Sequence, residues 1–245
     1  MKKDYAEYLL RETKEKYNLI AEEFARYREK PWPEAKFLVD EYAIPGERIL
    51  DLGCGVGQWY EFFNKKEVDY TGADFSEKLI EIAKIKYSKA KFKVTNVINL
   101  PFPDNYFDKV YAIALFHHIP SKEFQTQLLK EIKRVLKPDG LLILTVWNLW
   151  QKWRTRKIIF KFGLLKILGK SKLDFGDILM DWQGMKNCYF HCFTKKKLLK
   201  LIREINFNLI KDGEFLVGAE RKFTPRLSNS NFYIIAQKTI ADKGR

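Results

Sequence analysis

Arg48-Ile49-Leu50-Asp51-Leu52-Gly53-Cys54-Gly55-Val56-Gly57, with Tyr70-Thr71-Gly72-Ala73-Asp74 shortly after it, is the stretch whose reading decides the fold. An apolar run from Arg48 to Leu52 predicts a strand, and the glycines after it predict a tight turn. A helix from about Gln58 to Lys65 and a second strand from Tyr70 to Ala73 complete a βαβ unit. Such a unit presents a nucleotide-like ligand to the carboxyl ends of its strands, where glycines let the backbone come close. A dinucleotide fingerprint is excluded, because its third glycine would fall on Gln58 in one register and on Tyr60 in the other.

Working outward, strands continue to alternate with helices. A helix over Glu77–Ser88 capped by Ser76 is followed by a short edge strand, Phe92–Thr95, that ends at Asn96. A strand over Lys109–Leu115, a helix over Glu123–Leu136, a turn at Lys137-Pro138-Asp139-Gly140 and a strand over Leu141–Val146 come next. A helix over Thr194–Ile205 and strands near Leu209–Phe215 and Phe232–Gln237 close the chain, the last two as an antiparallel hairpin. This alternation predicts an α/β fold, Rossmann-like and doubly wound, with a mostly parallel seven-stranded sheet and an antiparallel last strand. Residues 1–45 form an N-terminal helical cap broken at Pro31-Trp32-Pro33, with a further helix over Pro33–Tyr42. Residues 46–148 are the ligand-binding core, 149–190 a basic insertion after strand 5, and 191–245 the helix and hairpin that complete the core.

Charge narrows the partners. Forty-five Lys and Arg against 31 Asp and Glu leave a net charge of +14, which favours RNA, DNA or an acidic lipid surface. Eight basic residues and no acidic one lie between Lys152 and Lys172, and Arg154, Lys157 and Lys161 share a helical face that Gly163 is expected to end. This segment reads as nucleic-acid contact, as a basic helix on an anionic membrane, or as a solvated face. Three cysteines, a charged N-terminus without an apolar leader and the shortness of the longest apolar run predict a cytoplasmic protein with no membrane span. Cys188, His191 and Cys192 lack the spacing of a four-ligand zinc site, so no metal is expected.

The turn Asp51-x-Gly53-x-Gly55-x-Gly57 resembles motif I of the class I S-adenosylmethionine-dependent methyltransferases. That resemblance implies S-adenosylmethionine as cofactor, lying over Asp51, Gly53, Gly55 and Gly57, with the Asp74 carboxylate on the ribose hydroxyls and Phe75 beside it. It further implies Asn96 and Val97 at the adenine and Ala114 at the next strand end. Asn96 stands where aspartate is usual; it keeps a carbonyl acceptor, or serves as an ordinary turn residue.

Tyr17-x-x-Ile20-Ala21-x-x-Phe24, Arg28, Pro31-Trp32-Pro33, Phe116-His117-His118, Trp147 and Tyr189-Phe190-His191-x-Phe193 together resemble the tRNA wobble-uridine 5-carboxymethyl methyltransferases. The resemblance implies esterification of a carboxymethyl group on the anticodon loop of tRNA. Arg28, His117 and His118 are the catalytic candidates, and Trp32, Arg154, Lys157, Lys161 and His191 the substrate contacts. It also implies a small zinc-binding activator protein that adds a strand along Lys91–Thr95. Cys188 and Asp181 depart from the family's arginine and proline. A small-molecule O-methyltransferase and a cofactor-binding RNA-interaction subunit without turnover are the alternatives.

Overall fold

A computed structural model describes residues 1–28, 30–217 and 229–239. Its centre is a seven-stranded sheet in the order β3-β2-β1-β4-β5-β9-β8. The strands are β1 (Arg48–Leu52), β2 (Asp69–Asp74), β3 (Lys91–Val94), β4 (Phe107–Ile113), β5 (Leu136–Trp147), β8 (Phe207–Val217) and β9 (Asn229–Lys238). The first five pair in parallel, and β9 runs antiparallel to both β5 and β8, as the alternation predicts. The remaining strands, β6 (Asp177–Trp182) and β7 (Met185–His191), form a separate antiparallel hairpin.

Burial on both faces explains why the central strands are nearly all apolar. Leu50, Leu52, Val110, Leu142 and Leu144 pack one face against α6 (Lys122–Val135) and α8 (Lys195–Glu204), through Leu128, Ile132, Leu198 and Ile202. Ile49, Tyr111 and Ile143 pack the other face against α3 (Phe37–Asp40), α4 (Tyr60–Asn64) and α5 (Glu77–Lys86), through Leu38, Phe63 and Ile80. Side chains opposite one another across β1, β2 and β4 are thus held in register, and with them the loops at their carboxyl ends.

Two helices, α1 (Lys3–Leu19) and α2 (Ala21–Tyr27), cap those carboxyl ends. Asn18 fastens the cap to the start of α5: its side-chain oxygen accepts from Ser76 Oγ at 2.6 Å and from Lys78 N at 3.2 Å, and its amide donates to Glu77 at 3.0 Å. Lys14 pairs with the same Glu77.

Several boundaries differ from those expected. Lys137-Pro138-Asp139-Gly140 is not a turn before the strand but an irregular stretch inside β5, whose pairing with β4 shifts register there while Asp139 takes a positive φ of 62°. Pro33–Tyr42 is not one helix; a 3-10 turn over Pro33–Ala35 precedes the single turn of α3. In the insertion, α7 (Trp153–Ile167) runs straight through Gly163 rather than ending at it. Ile159, in the same helix, is held in the core with Ile178 and Phe190 of the β6–β7 hairpin, and tertiary packing of this kind outweighs the roughly 1 kcal/mol that glycine costs in a helix. Among the described residues no helix is long and apolar enough to cross a membrane.

Candidate active site

The sheet changes winding direction between β1 and β4, and a cleft opens there above the strand ends, with about 710 Å³ of empty space including its mouth. That is where the geometry of an open α/β sheet places a ligand.

Gly53 and Gly55 form its floor. Gly53 holds φ at +78°, and a Cβ there would meet the Leu115 side chain at 3.1 Å; Gly55 holds φ at +55°. Any other residue would be strained by the backbone and would also fill the cleft. Asp74, at the carboxyl end of β2, stands beside them. One of its carboxylate oxygens accepts from Gly55 N at 3.0 Å and the other from Ser76 N at 2.9 Å. Each oxygen keeps a further acceptor site, enough for two adjacent hydroxyls. Burial pushes Asp74 up to about 6, against the pull of the amides that bond it.

The cap supplies the opposite wall with Leu10, Tyr17, Phe24 and Arg28, and Arg28 lays its guanidinium over the Trp32 ring at 4.8 Å. Trp147 at the end of β5 and Trp182 at the end of β6 stand 5.8 Å apart, and Trp182 is also 5.8 Å from Tyr17. Tyr17 and His118 Nε2 share a hydrogen bond of 3.0 Å. Burial presses His118 down to about 4, so at neutral pH it is an uncharged imidazole. The result is a cleft lined by a carboxylate, an arginine fork and flat rings.

The proposed site residues are distributed unevenly around this cleft. Arg28, Trp32, Gly53, Gly55, Asp74, Phe75, Val97, Ala114 and His118 line it. His117 does not; it is fully buried behind the wall, stacked on Trp147 at 4.5 Å. Asp51 and Gly57 lie beneath the floor, where Asp51 accepts from the Tyr70 hydroxyl at 2.9 Å. Asn96 is exposed, and its side-chain oxygen accepts from Ile98 N at 3.1 Å, closing its own turn. His191 bonds Asp177 at 2.6 Å away from the cleft, and Arg154, Lys157 and Lys161 lie on the exposed side of α7. Among the described residues no cluster of three or more His, Cys, Asp or Glu could hold a metal ion. Tyr17, Gln58, Trp147 and Trp182 line the cleft without having been singled out for a role in it.

Asp51 gives a test of the floor. Burial raises it to about 7 although Tyr70 stabilises its charge. In the unfolded chain it titrates near 3.9, so the stability it contributes is complete below about pH 4 and is lost as pH rises through about 7. Asp51→Asn is therefore expected to raise the unfolding free energy by on the order of 2 kcal/mol at pH 8. About a third of that change is expected at pH 5, and urea denaturation at both values checks the pair.

The central segment that carries the glycine floor and Asp74 is a methyltransferase domain of the S-adenosylmethionine-dependent kind, with S-adenosylmethionine as its cofactor. Residues 50–144 match the family described as methyltransferase domain. A solved structure from Methanosarcina mazei, described as a SAM-dependent methyltransferase, is 26% identical with a TM-score of 0.72, over 86% of this chain and 100% of that one. A Homo sapiens protein named "Probable tRNA methyltransferase 9B" is 35% identical over 138 residues, 56% of this chain and 29% of its own length. The tRNA (carboxymethyluridine(34)-5-O)-methyltransferase of Arabidopsis thaliana is 33% identical over 132 residues, 54% of this chain and 31% of its own. The chain thus spans less than a third of the length of these two relatives.

Proposed function

We propose that this protein methylates the carboxymethyl group of a tRNA wobble uridine to its methyl ester. The observation that carries the reading is the pairing of a cationic fork, Arg28 on Trp32, with the rings of Tyr17, Trp147 and Trp182 in one cleft. A flat base bearing a carboxylate matches both. The names of the relatives and the +14 charge point to the same polyanionic substrate.

Asp74 would hold the ribose hydroxyls of the cofactor, and Gly53 and Gly55 would admit its methionine portion. When bound, S-adenosylmethionine supplies an electrophilic methyl on a sulfonium, which the substrate oxygen takes as the carbon–sulfur bond breaks. A carboxylate with a pKa near 4 is already ionised at neutral pH, so no side chain need remove a proton. The work of the chain is alignment and exclusion of water. Arg28 orients the carboxylate through a planar fork, and Trp147, Trp182 and Tyr17 hold the base and keep the cleft dry. In a drier cleft, opposite charges that cancel during transfer react more readily. Neutral His118, bonded to Tyr17, brings no competing charge.

Outside the cleft, the Arg154, Lys157 and Lys161 side of α7 would meet the RNA backbone. The open edge of β3 would accept a strand from a small zinc-binding activator along Lys91–Thr95. The test is transfer of labelled methyl from S-adenosylmethionine to bulk tRNA lacking the ester, with and without RNase, followed by nucleoside analysis. RNase-sensitive label in the methyl ester of 5-carboxymethyluridine is the expected result. Cofactor binding with no labelled RNA, even with the activator present, would sink the reading and leave a small-molecule acceptor or a subunit without turnover.

A further inference from the structure

Gln58 follows the glycine turn directly and lines the cleft, yet its side-chain oxygen is buried and has no hydrogen-bond partner. An unmet buried acceptor costs about 1–3 kcal/mol, so its presence in a ligand cleft calls for a donor from the ligand. The neighbouring polar groups are otherwise engaged. Asp74 is bonded by Gly55 N and Ser76 N, Tyr17 and His118 are bonded to each other, and Arg28 stacks on Trp32.

The position of Gln58 relative to Asp74 and Val97 bears on which part of the cofactor it meets. Cleft residues follow the carboxyl ends in the sequence Val97 after β3, Asp74 on β2, Gly53 and Gly55 after β1, and Ala114 after β4. With the ribose on Asp74 and the adenine at Val97, as the methyltransferase resemblance implies, the amino-acid arm lies on the β1 side of Asp74. Gln58 stands on that turn. The arm ends in an ammonium with three donors, and a neutral amide oxygen meets it with a charge-assisted hydrogen bond.

We propose that the Gln58 side-chain amide accepts a hydrogen bond from the ammonium of the cofactor's methionine arm, making Gln58 a cofactor-specificity residue for the amino-acid end. The assignment rests on S-adenosylmethionine being the cofactor.

Two ligands and two variants of the full chain test it by isothermal titration calorimetry. S-adenosylhomocysteine carries the amino-acid arm, and 5′-methylthioadenosine keeps the adenosine and the thioether without it. Gln58→Leu is expected to weaken S-adenosylhomocysteine at least about tenfold while leaving methylthioadenosine within about twofold. Gln58→Glu is expected to hold or raise the affinity for S-adenosylhomocysteine. Equal losses for both ligands in Gln58→Leu would make the residue a support of the turn and overturn the proposal, as would no loss for either. A loss in Gln58→Glu as large as in Gln58→Leu would overturn it too, because the amide would then be donating to the carboxylate. If wild-type protein binds neither ligand, the cofactor assignment itself fails and takes the proposal with it.

Discussion

Asp74→Ala is expected to lower the affinity for S-adenosylhomocysteine at least about 100-fold, through loss of two charge-assisted hydrogen bonds worth about 1.5–3 kcal/mol each. The effect should be this large because Asp74 has two tasks. Its oxygens face the cleft, and they also bond Gly55 N and Ser76 N, so truncation frees two buried amides and loosens the glycine floor. Asp74→Asn keeps one acceptor and should fall between. The pH profile carries the same signature. Asp74 is raised to about 6, and protonation turns one acceptor oxygen into a hydroxyl, so affinity should be level above about pH 7 and fall as pH drops through about 6. Calorimetric titrations from pH 5 to 8 measure both effects. An affinity for Asp74→Ala within a few fold of wild type would contradict the assignment.

Arg28→Ala should act on the other half of the site. A drop in kcat/KM of about 100-fold for carboxymethylated tRNA is expected, equivalent to about 2.7 kcal/mol, with the Kd for S-adenosylhomocysteine unchanged within about threefold. Arg28 caps the end of α2 and is steered by the Trp32 ring beneath its guanidinium, so its fork is aimed before the substrate arrives. Arg28→Lys restores charge but not the planar pair of donors, and partial recovery is expected. Equal losses in cofactor affinity and turnover would place Arg28 on the cofactor instead.

The sheet and the floor of the cleft were readable in the sequence because their causes are local. Apolar runs of strand length, glycines where φ must be positive and an acid at a strand end each leave a mark on a few consecutive residues. The walls were less readable. His117 and His118 are neighbours on one tight turn, and only the path of that turn decides that His118 faces the cleft while His117 packs behind Trp147. Tyr17 meets His118 across 101 positions of chain, and no periodicity carries such a contact. Asn96 keeps the polarity expected at its place but spends it on its own turn. The β6–β7 hairpin was missed, and α7 shows why helical faces mislead. Besides Ile159 in the core, it exposes Trp153, Phe160, Leu164 and Ile167 along a second apolar stripe, so its pattern has no single face.

The cap has a consequence that reaches past this one protein. Residues 50–144 carry the family signature, yet Tyr17, Phe24 and Arg28 lie upstream of them and Trp147 and Trp182 downstream. On the proposed function, donor handling and acceptor choice would therefore be written in separate stretches of chain that meet only in space. Grafting a different cap and insertion onto the same central segment would redirect the methyl group to a new recipient with the donor pocket intact, a division of labour that lets one scaffold diversify by exchanging its ends.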